Sequence, residues 1–81
     1  SNNILKNESI DKLNKYIKEV EEADFTYTYQ GDENTFESIK EKGIRGYVFL
    51  PNVDTDMAYL VDKDNGNIYF FHPSGYFELL Q

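Results

Sequence analysis

The sequence predicts an α+β fold in which an N-terminal amphipathic helix packs on a four- to five-stranded, mainly antiparallel sheet, with a short second helix between strands 1 and 2. Three observations predict it: apolar residues at helical spacing near the start, alternation from residue 25, and a hairpin signal at Asn65-Gly66. The chain has 81 residues, of which 40% are hydrophobic, so residues 1–81 are expected to fold as one domain.

Apolar residues near the start recur at steps of three and four, the spacing of one helix face: Ile10, Leu13, Ile17 and Val20. We predict a helix that begins at Asn7 or Ser9, because either side chain can cap the first turn, and that ends at about Ala23.

Acidic residues of this helix lie four positions before lysines. Glu8 precedes Lys12 and Asp11 precedes Lys15, which is the favourable order for an ion pair on a helix surface. The sequence therefore predicts two such pairs on the polar face.

The first two strands flank the second helix. Residues 25–30 alternate aromatic with polar side chains, which predicts a strand that ends at Gly31. Residues 44–50 are apolar and β-rich, and Pro51 ends that strand because it has no N–H to donate.

The second helix is predicted over residues 35–42. Asn34, with a glutamate three residues later, matches a capping box, and Gly43 follows the last turn as a C-terminal cap. This helix should bury Phe36 and Ile39.

A β-hairpin is predicted from strands at residues 57–63 and 67–72. Asn65-Gly66 between them tolerates positive φ, as a two-residue type I′ turn requires. A turn at residues 73–75 then leads to a last strand at residues 76–80. The long helix followed by a meander is similar to cystatin-like modules, and residues 59–71 resemble the closing hairpin of peptidase-propeptide-type domains. That resemblance implies architecture alone and assigns no functional residue.

Both faces of the hairpin are apolar. One carries Tyr59, Val61, Ile68 and Phe70, and the other carries Leu60, Tyr69 and Phe71. Because the first helix can cover only one face, we predict an exposed patch on the other, extended by the second strand. This candidate aromatic face consists of Tyr47, Phe49, Tyr69 and Phe71. The alternative is that the second helix or the last strand covers it.

All charged residues between Lys18 and Lys40 are acidic, in a chain of net charge −7. They form the candidate acidic surface: Glu19, Glu21, Glu22, Asp24, Asp32, Glu33 and Glu37. Negative potential favours a basic protein partner and disfavours nucleic acid, whose phosphates would be repelled. The alternative is a solvated surface that promotes solubility.

Few residues suit catalysis. The chain has no cysteine, and His72 is its only histidine. Ser74 is so close to it in sequence that we expect no hydrogen-bonded nucleophile–base pair. Asp62 and Glu78 are the acids on apolar strands. We predict that the protein is not an enzyme and has no catalytic residue and no cofactor.

Asn52, Asp54 and Asp56 alternate as the first oxygen ligands of a calcium loop do. Its sixth and twelfth positions need Gly and Glu but hold Met and Lys, and the run 62–66 places its Gly one residue early. We interpret these residues as turn formers that bond their own backbone, and we predict no metal site.

We therefore predict a non-catalytic protein-binding or inhibitory module that acts through the acidic surface and the aromatic face. Its expected partner is another protein, for which a basic charge would be favourable, or a second copy of the chain. The alternative is an extracytoplasmic domain of a small membrane-anchored protein or lipoprotein with a ligand-binding or assembly role. The Ser-Asn start without Met is typical of a removed affinity tag. Residues 1–6 are thus expected to be frayed or partly tag-derived. A further hypothesis is that a signal or membrane anchor was removed from the N-terminus, so the sequence does not assign a cellular compartment. No apolar run here is long enough for membrane insertion.

Overall fold

The computed structural model describes residues 4–21, 27–52 and 54–81, and the side chains of residues 20 and 21 are not part of that description. It confirms the predicted α+β fold, with five antiparallel strands in the order β1-β2-β3-β4-β5. The elements are α1 (Lys6–Tyr16), a π-helical turn (Ile17–Glu21), β1 (Tyr27–Gly31), α2 (Glu37–Lys42), β2 (Gly46–Pro51), β3 (Ala58–Asp62), β4 (Ile68–Phe71) and β5 (Phe77–Leu79).

The first helix begins earlier than predicted. Its N-cap is Leu5 rather than Asn7 or Ser9, and the Glu8 carboxylate accepts a hydrogen bond from the Leu5 N–H at 3.4 Å. Ser9 is buried inside the helix, where its hydroxyl donates to the Lys6 carbonyl at 2.6 Å. The first-turn glutamate thus satisfies a backbone donor at the helix start, so no polar N-cap is needed.

Two predicted boundaries lie outside the described residues. These are the end of the first helix at Ala23 and the start of the first strand at Phe25. Within the description, the helix continues from α1 into the π-helical turn, and β1 begins at Tyr27.

The second helix is shorter than predicted. Phe36 is its N-cap, in extended conformation and with no side-chain hydrogen bond, so the predicted capping role of Asn34 is wrong. The Asn34 N–H instead donates to the Asp32 carboxylate at 2.9 Å, in a turn before the helix. Gly43 ends the helix in the left-handed conformation at φ 77°, as predicted.

The hairpin turn is longer than predicted. The Asp62 N–H donates to the Asn67 carbonyl at 2.8 Å, and the Gly66 N–H donates to the Asp62 carbonyl at 2.9 Å. The loop therefore consists of residues 63–66, with Gly66 at φ 77°, and is not the two-residue turn at Asn65-Gly66. The two faces of the hairpin nevertheless carry the predicted residues.

The sheet is the middle of three layers, and all five residues of β3 are buried. On one face α1 and the π-helical turn pack against a cluster of buried residues: Leu13, Tyr16, Ile17, Phe49, Tyr59, Val61 and Ile68. On the other face α2 contributes to a second cluster: Ile39, Val48, Ala58, Leu60 and Phe71. Each fully buried large side chain contributes roughly 1.5–3 kcal/mol to the free energy of unfolding, so both layers stabilise the fold.

Candidate functional site

The predicted aromatic face does not exist as one surface. Tyr47 and Phe49 pack with the α1 cluster, whereas Tyr69 and Phe71 pack with the α2 cluster. Phe49 is 1% exposed and Phe71 is 0% exposed. The prediction of an exposed patch is wrong for Phe49 and Phe71, whereas Tyr47 and Tyr69 are half-buried. The alternative is correct for the other face, where Phe36 and Ile39 of the second helix region pack against Phe71 and its cluster.

The two half-buried tyrosines are held by neighbours. The Tyr47 hydroxyl donates to the Ile4 carbonyl at 3.0 Å, and the Lys63 ammonium lies 5.0 Å from its ring centroid. The Tyr69 ring lies 6.4 Å from the Phe77 ring at an interplanar angle of 85°. These are favourable edge-to-face and cation–π geometries, so both tyrosines have packing roles.

The predicted acidic surface lies only partly within the described residues. Glu19 is exposed on the π-helical turn, whereas Asp32, Glu33 and Glu37 lie at the connection from β1 to α2. The remaining members lie outside the described residues or have undescribed side chains: Glu21, Glu22 and Asp24. The acidic surface as a whole therefore stays a prediction.

Glu33 is directed into the structure. Its carboxylate lies 3.0 Å from the Lys63 ammonium, and both side chains are at least four-fifths buried. The same carboxylate accepts the Gly46 N–H at 3.1 Å. Glu33 thus joins the β1–α2 connection to the start of β2 and to the β3–β4 loop, and its charge is neutralised.

Asp32 and Tyr27 have shifted acidities. The Asn34 N–H that donates to Asp32 lowers the pKa of that carboxyl, and the charge of Lys63 acts in the same direction. Burial raises the pKa of Tyr27, and the Asp11 carboxylate adds to the rise. The Tyr27 hydroxyl donates to the Asn14 side chain. The Tyr27 bond joins β1 to α1, whereas the Asp32 bond lies within the turn that follows β1.

His72 and Ser74 are hydrogen-bonded, contrary to the prediction. Ser74 Oγ lies 2.8 Å from His72 Nδ1, and the Ser74 backbone N–H donates to the same nitrogen at 3.1 Å. Among the described residues no hydrogen bond holds Nε2. A catalytic histidine needs a third group to orient it, whereas here Nδ1 is occupied by the turn's own amide. The pair therefore stabilises the turn before β5.

The two candidate acids cannot act as a pair. Asp62 lies on the α2 face of β3, because it follows Leu60 at the strand period of two. Glu78 lies opposite Phe70, which packs on the α1 face. Paired carboxyls in glycoside hydrolysis must face a common substrate. The opposite faces of Asp62 and Glu78 exclude that arrangement.

The Asp and Asn residues around the hairpin loop bond their own backbone, as interpreted. Asp62 accepts the Asp64 N–H at 2.8 Å, and Asn65 accepts the Asn67 N–H at 2.9 Å. Within residues 4–21, 27–52 and 54–81, no three His, Asp or Glu side chains are grouped so that they could hold a metal ion. In the same ranges no helix has the length and apolar character to cross a membrane.

The outer edge of β5 was not identified from the sequence. The His72 N–H donates to the Tyr76 carbonyl, and the Leu80 N–H donates to the Ile68 carbonyl. Backbone groups alternate in direction along an antiparallel strand, so those of Phe77 and Leu79 point away from β4. β5 is the last strand of the sheet order, and this row of groups faces outward.

The side chains beside this edge are apolar and accessible. Tyr76 is 56% exposed and Leu79 is 59% exposed, which makes them two of the most exposed large apolar side chains in the described chain. The Lys42 ammonium lies 5.5 Å from the Phe77 ring centroid and partly covers that ring. Leu79 is therefore the accessible apolar side chain of the strand itself.

Comparison of the chain with known protein families, with curated proteins and with solved structures finds no match.

Proposed function

We propose that this protein is a non-catalytic protein-binding module whose β5 edge receives an extended segment of a basic partner protein. The observation that carries the proposal is the exposed edge of β5, where outward backbone groups of Phe77 and Leu79 lie beside the exposed Leu79 side chain. An added strand gains main-chain hydrogen bonds from such an edge and specificity from alternate side chains.

The two edges of the sheet differ in a way that favours β5. Natural sheets protect their edges with bulges, prolines or lysines, because open edges pair with other chains. The β1 edge has an irregularity in its register between Tyr29 and Gly31. β5 has only three residues, but it has a regular register with β4 and contains neither proline nor lysine. A binding strand would therefore find a regular template at β5.

Charge favours a basic segment over a second copy of the chain. The net charge is −7, and Glu78 lies in the centre of β5, where it is exposed. If the β5 strands of two copies of the chain pair antiparallel over their whole length, Phe77 of one copy faces Leu79 of the other and the two Glu78 carboxylates face each other. Like charges directly opposite destabilise a strand pair, whereas a lysine or arginine there contributes roughly 0.2–1 kcal/mol.

The test uses a displayed library of random peptides selected on the folded 81-residue protein. We expect the selected peptides to alternate apolar with basic residues and to shift the backbone amide signals of residues 76–81 in NMR titrations. Leu79→Pro should weaken their binding at least tenfold, because it removes an outward N–H without breaking a bond to β4.

A matched pair of charge variants separates the two edges of the sheet. Leu79→Lys should weaken peptide binding, whereas Gln30→Lys, which adds the same charge on exposed β1, should leave it unchanged. Equal binding to wild type and Leu79→Pro would overturn the proposal. A dimer in sedimentation velocity that Leu79→Pro dissociates would show that a second copy is the occupant, which also contradicts it.

A further inference from the structure

A groove of about 380 Å³ lies between the helix layer and the β3–β4 loop. Its helix side is formed by Lys12, Lys15, Tyr16 and Glu19, and its loop side includes Asn65 and Gly66. Its volume falls in the range of sites that bind small molecules, roughly 300–1,000 Å³. The groove adjoins the end of β5 through Gln81 but does not include Phe77 and Leu79, whose outward backbone groups are the proposed peptide-binding edge.

The two lysines are not neutralised by the acids predicted to pair with them. In the described chain the ion pairs are Lys63 with Glu33 and Arg45 with Asp64. Neither Lys12 with Glu8 nor Lys15 with Asp11 is within 4.0 Å, so those two predictions are wrong. Lys12 and Lys15 lie three residues apart on α1, and such residues share one side of a helix.

Lys12 lies across the hairpin loop. A Cβ atom at Gly66 would come within 2.6 Å of the Lys12 Nζ and 2.9 Å of its Cε. Gly66 thus allows both the left-handed backbone, at φ 77°, and the close approach of the ammonium. The ammonium of this exposed lysine thus lies close to the Gly66 backbone.

The other groups of the groove complement a polar ligand. Asn65 uses its side-chain oxygen to accept the Asn67 N–H, which leaves its NH₂ group as a donor. Tyr16 is 6% exposed and forms part of the wall. Glu19 lies on the π-helical turn, an irregularity that is frequent at functional sites. The groove thus combines two lysine ammonium groups and an amide donor with the Glu19 carboxylate and the terminal residue Gln81, whose backbone oxygen accepts the Ile68 N–H at 2.7 Å.

We propose that this groove binds a small organic anion, with its carboxylate or phosphate group between Lys12 and Lys15 and its body against Tyr16. Oxyanions accept hydrogen bonds from ammonium groups and from amide NH₂ groups, and charge-assisted bonds of this kind are the strong ones. The net charge of −7 opposes anions at long range. That repulsion is screened beyond about 10 Å at 0.1 M salt, whereas contacts inside the groove persist.

The experiment titrates the protein with inorganic phosphate, phenyl phosphate and benzoate, with benzyl alcohol as the uncharged control, and follows backbone amide signals by NMR. Phenyl phosphate and benzoate distinguish a phosphate from a carboxylate as the preferred anion. We expect saturable shifts of the Tyr16, Gly66 and Asn67 amides with at least one anion and none with benzyl alcohol.

Variants of matched charge make the test specific. Lys12→Gln and Lys15→Gln should each weaken anion binding at least fivefold, whereas Lys40→Gln, which removes an exposed lysine from α2 on the opposite face, should leave it unchanged. Linear shifts without saturation, or an equal loss in Lys40→Gln, would overturn the proposal. Leu79→Pro should retain anion binding, so failure of the peptide-binding proposal leaves this result interpretable.

Discussion

The Ser38 hydroxyl is buried without a hydrogen-bond partner among the described residues. A buried polar group without a partner costs about 1–3 kcal/mol, and serine is also a weaker helix former than alanine. We therefore expect Ser38→Ala to raise the free energy of unfolding by about 1 kcal/mol in urea denaturation. Ser9→Ala is the control, because the Ser9 hydroxyl donates to the Lys6 carbonyl and its loss should lower stability. A Ser38→Ala variant less stable than wild type would contradict this prediction.

Single residues also show where sequence patterns stop being informative. Leu13 and Ile39 are recognisable as core residues because helical spacing alone places them on an inner face, and both are fully buried. Lys12 and Lys15 follow the same period, but the pattern gives only their side of the helix. Lys12 lies beside Gly66 of the β3–β4 loop, and both lysines line a groove with that loop, more than 45 residues later in sequence. No local signal reports such a neighbour.

At the scale of the element, the hairpin shows that a wrongly predicted turn length can still give the correct assignment of side chains to the two faces of the strands. The loop has four residues instead of two, so the register moves by two positions and Val61 lies opposite Ile68. Strand side chains alternate with a period of two, and an even shift therefore preserves their faces. The connection between β2 and β3 carries no comparable turn signal. Because the register between β2 and β3 was therefore not predictable, neither was the face of the sheet on which the Phe49 side chain lies.

The Glu33–Lys63 pair joins three elements and should stabilise them measurably. We expect Glu33→Gln to lower the free energy of unfolding by about 1–2 kcal/mol, because it weakens a largely buried ion pair and a charged hydrogen bond to the Gly46 N–H. Chemical denaturation of wild type and variant measures this loss of stability. The control is Asp64→Asn, whose pair with Arg45 is about half exposed and should contribute roughly 0.5 kcal/mol or less. Equal losses would show that burial does not distinguish the two pairs.

At the scale of the whole molecule, the aromatic content is explained by two layers rather than by one exposed face. The chain is 16% aromatic, and its rings fill clusters on both sides of the sheet. The fold class was predictable because it depends on periods and turn signals within short segments. The covering of the second face depends on how α2 lies over β2 and β4, which is a long-range property that periodicity does not contain.

The charge of the molecule should make its stability depend on salt. Its dimensions are 31 × 29 × 19 Å, so folding brings most charges of a net −7 chain within a few screening lengths of each other. We expect the melting temperature to rise by several degrees between 10 mM and about 0.5 M NaCl, since about 1 kcal/mol corresponds to roughly 4–8 °C for a domain of this size. Calorimetry measures it. Asp54→Asn combined with Asp56→Asn should show a smaller rise, and a fall with salt in wild type would contradict the prediction.

The three-layer arrangement also determines where the protein could be modified as a scaffold. β3 is buried on both faces, so an insertion anywhere in it would disturb two layers at once. Residues 54–56 and 73–75 are exposed, and both segments lie outside the strands. Exposed loop tips of this kind are the sites where inserted sequences are best tolerated. A reporter or epitope grafted at residues 54–56 would leave the groove and the outward backbone groups of β5 intact, whereas one at residues 73–75 would interrupt the hydrogen-bonded turn that leads into β5.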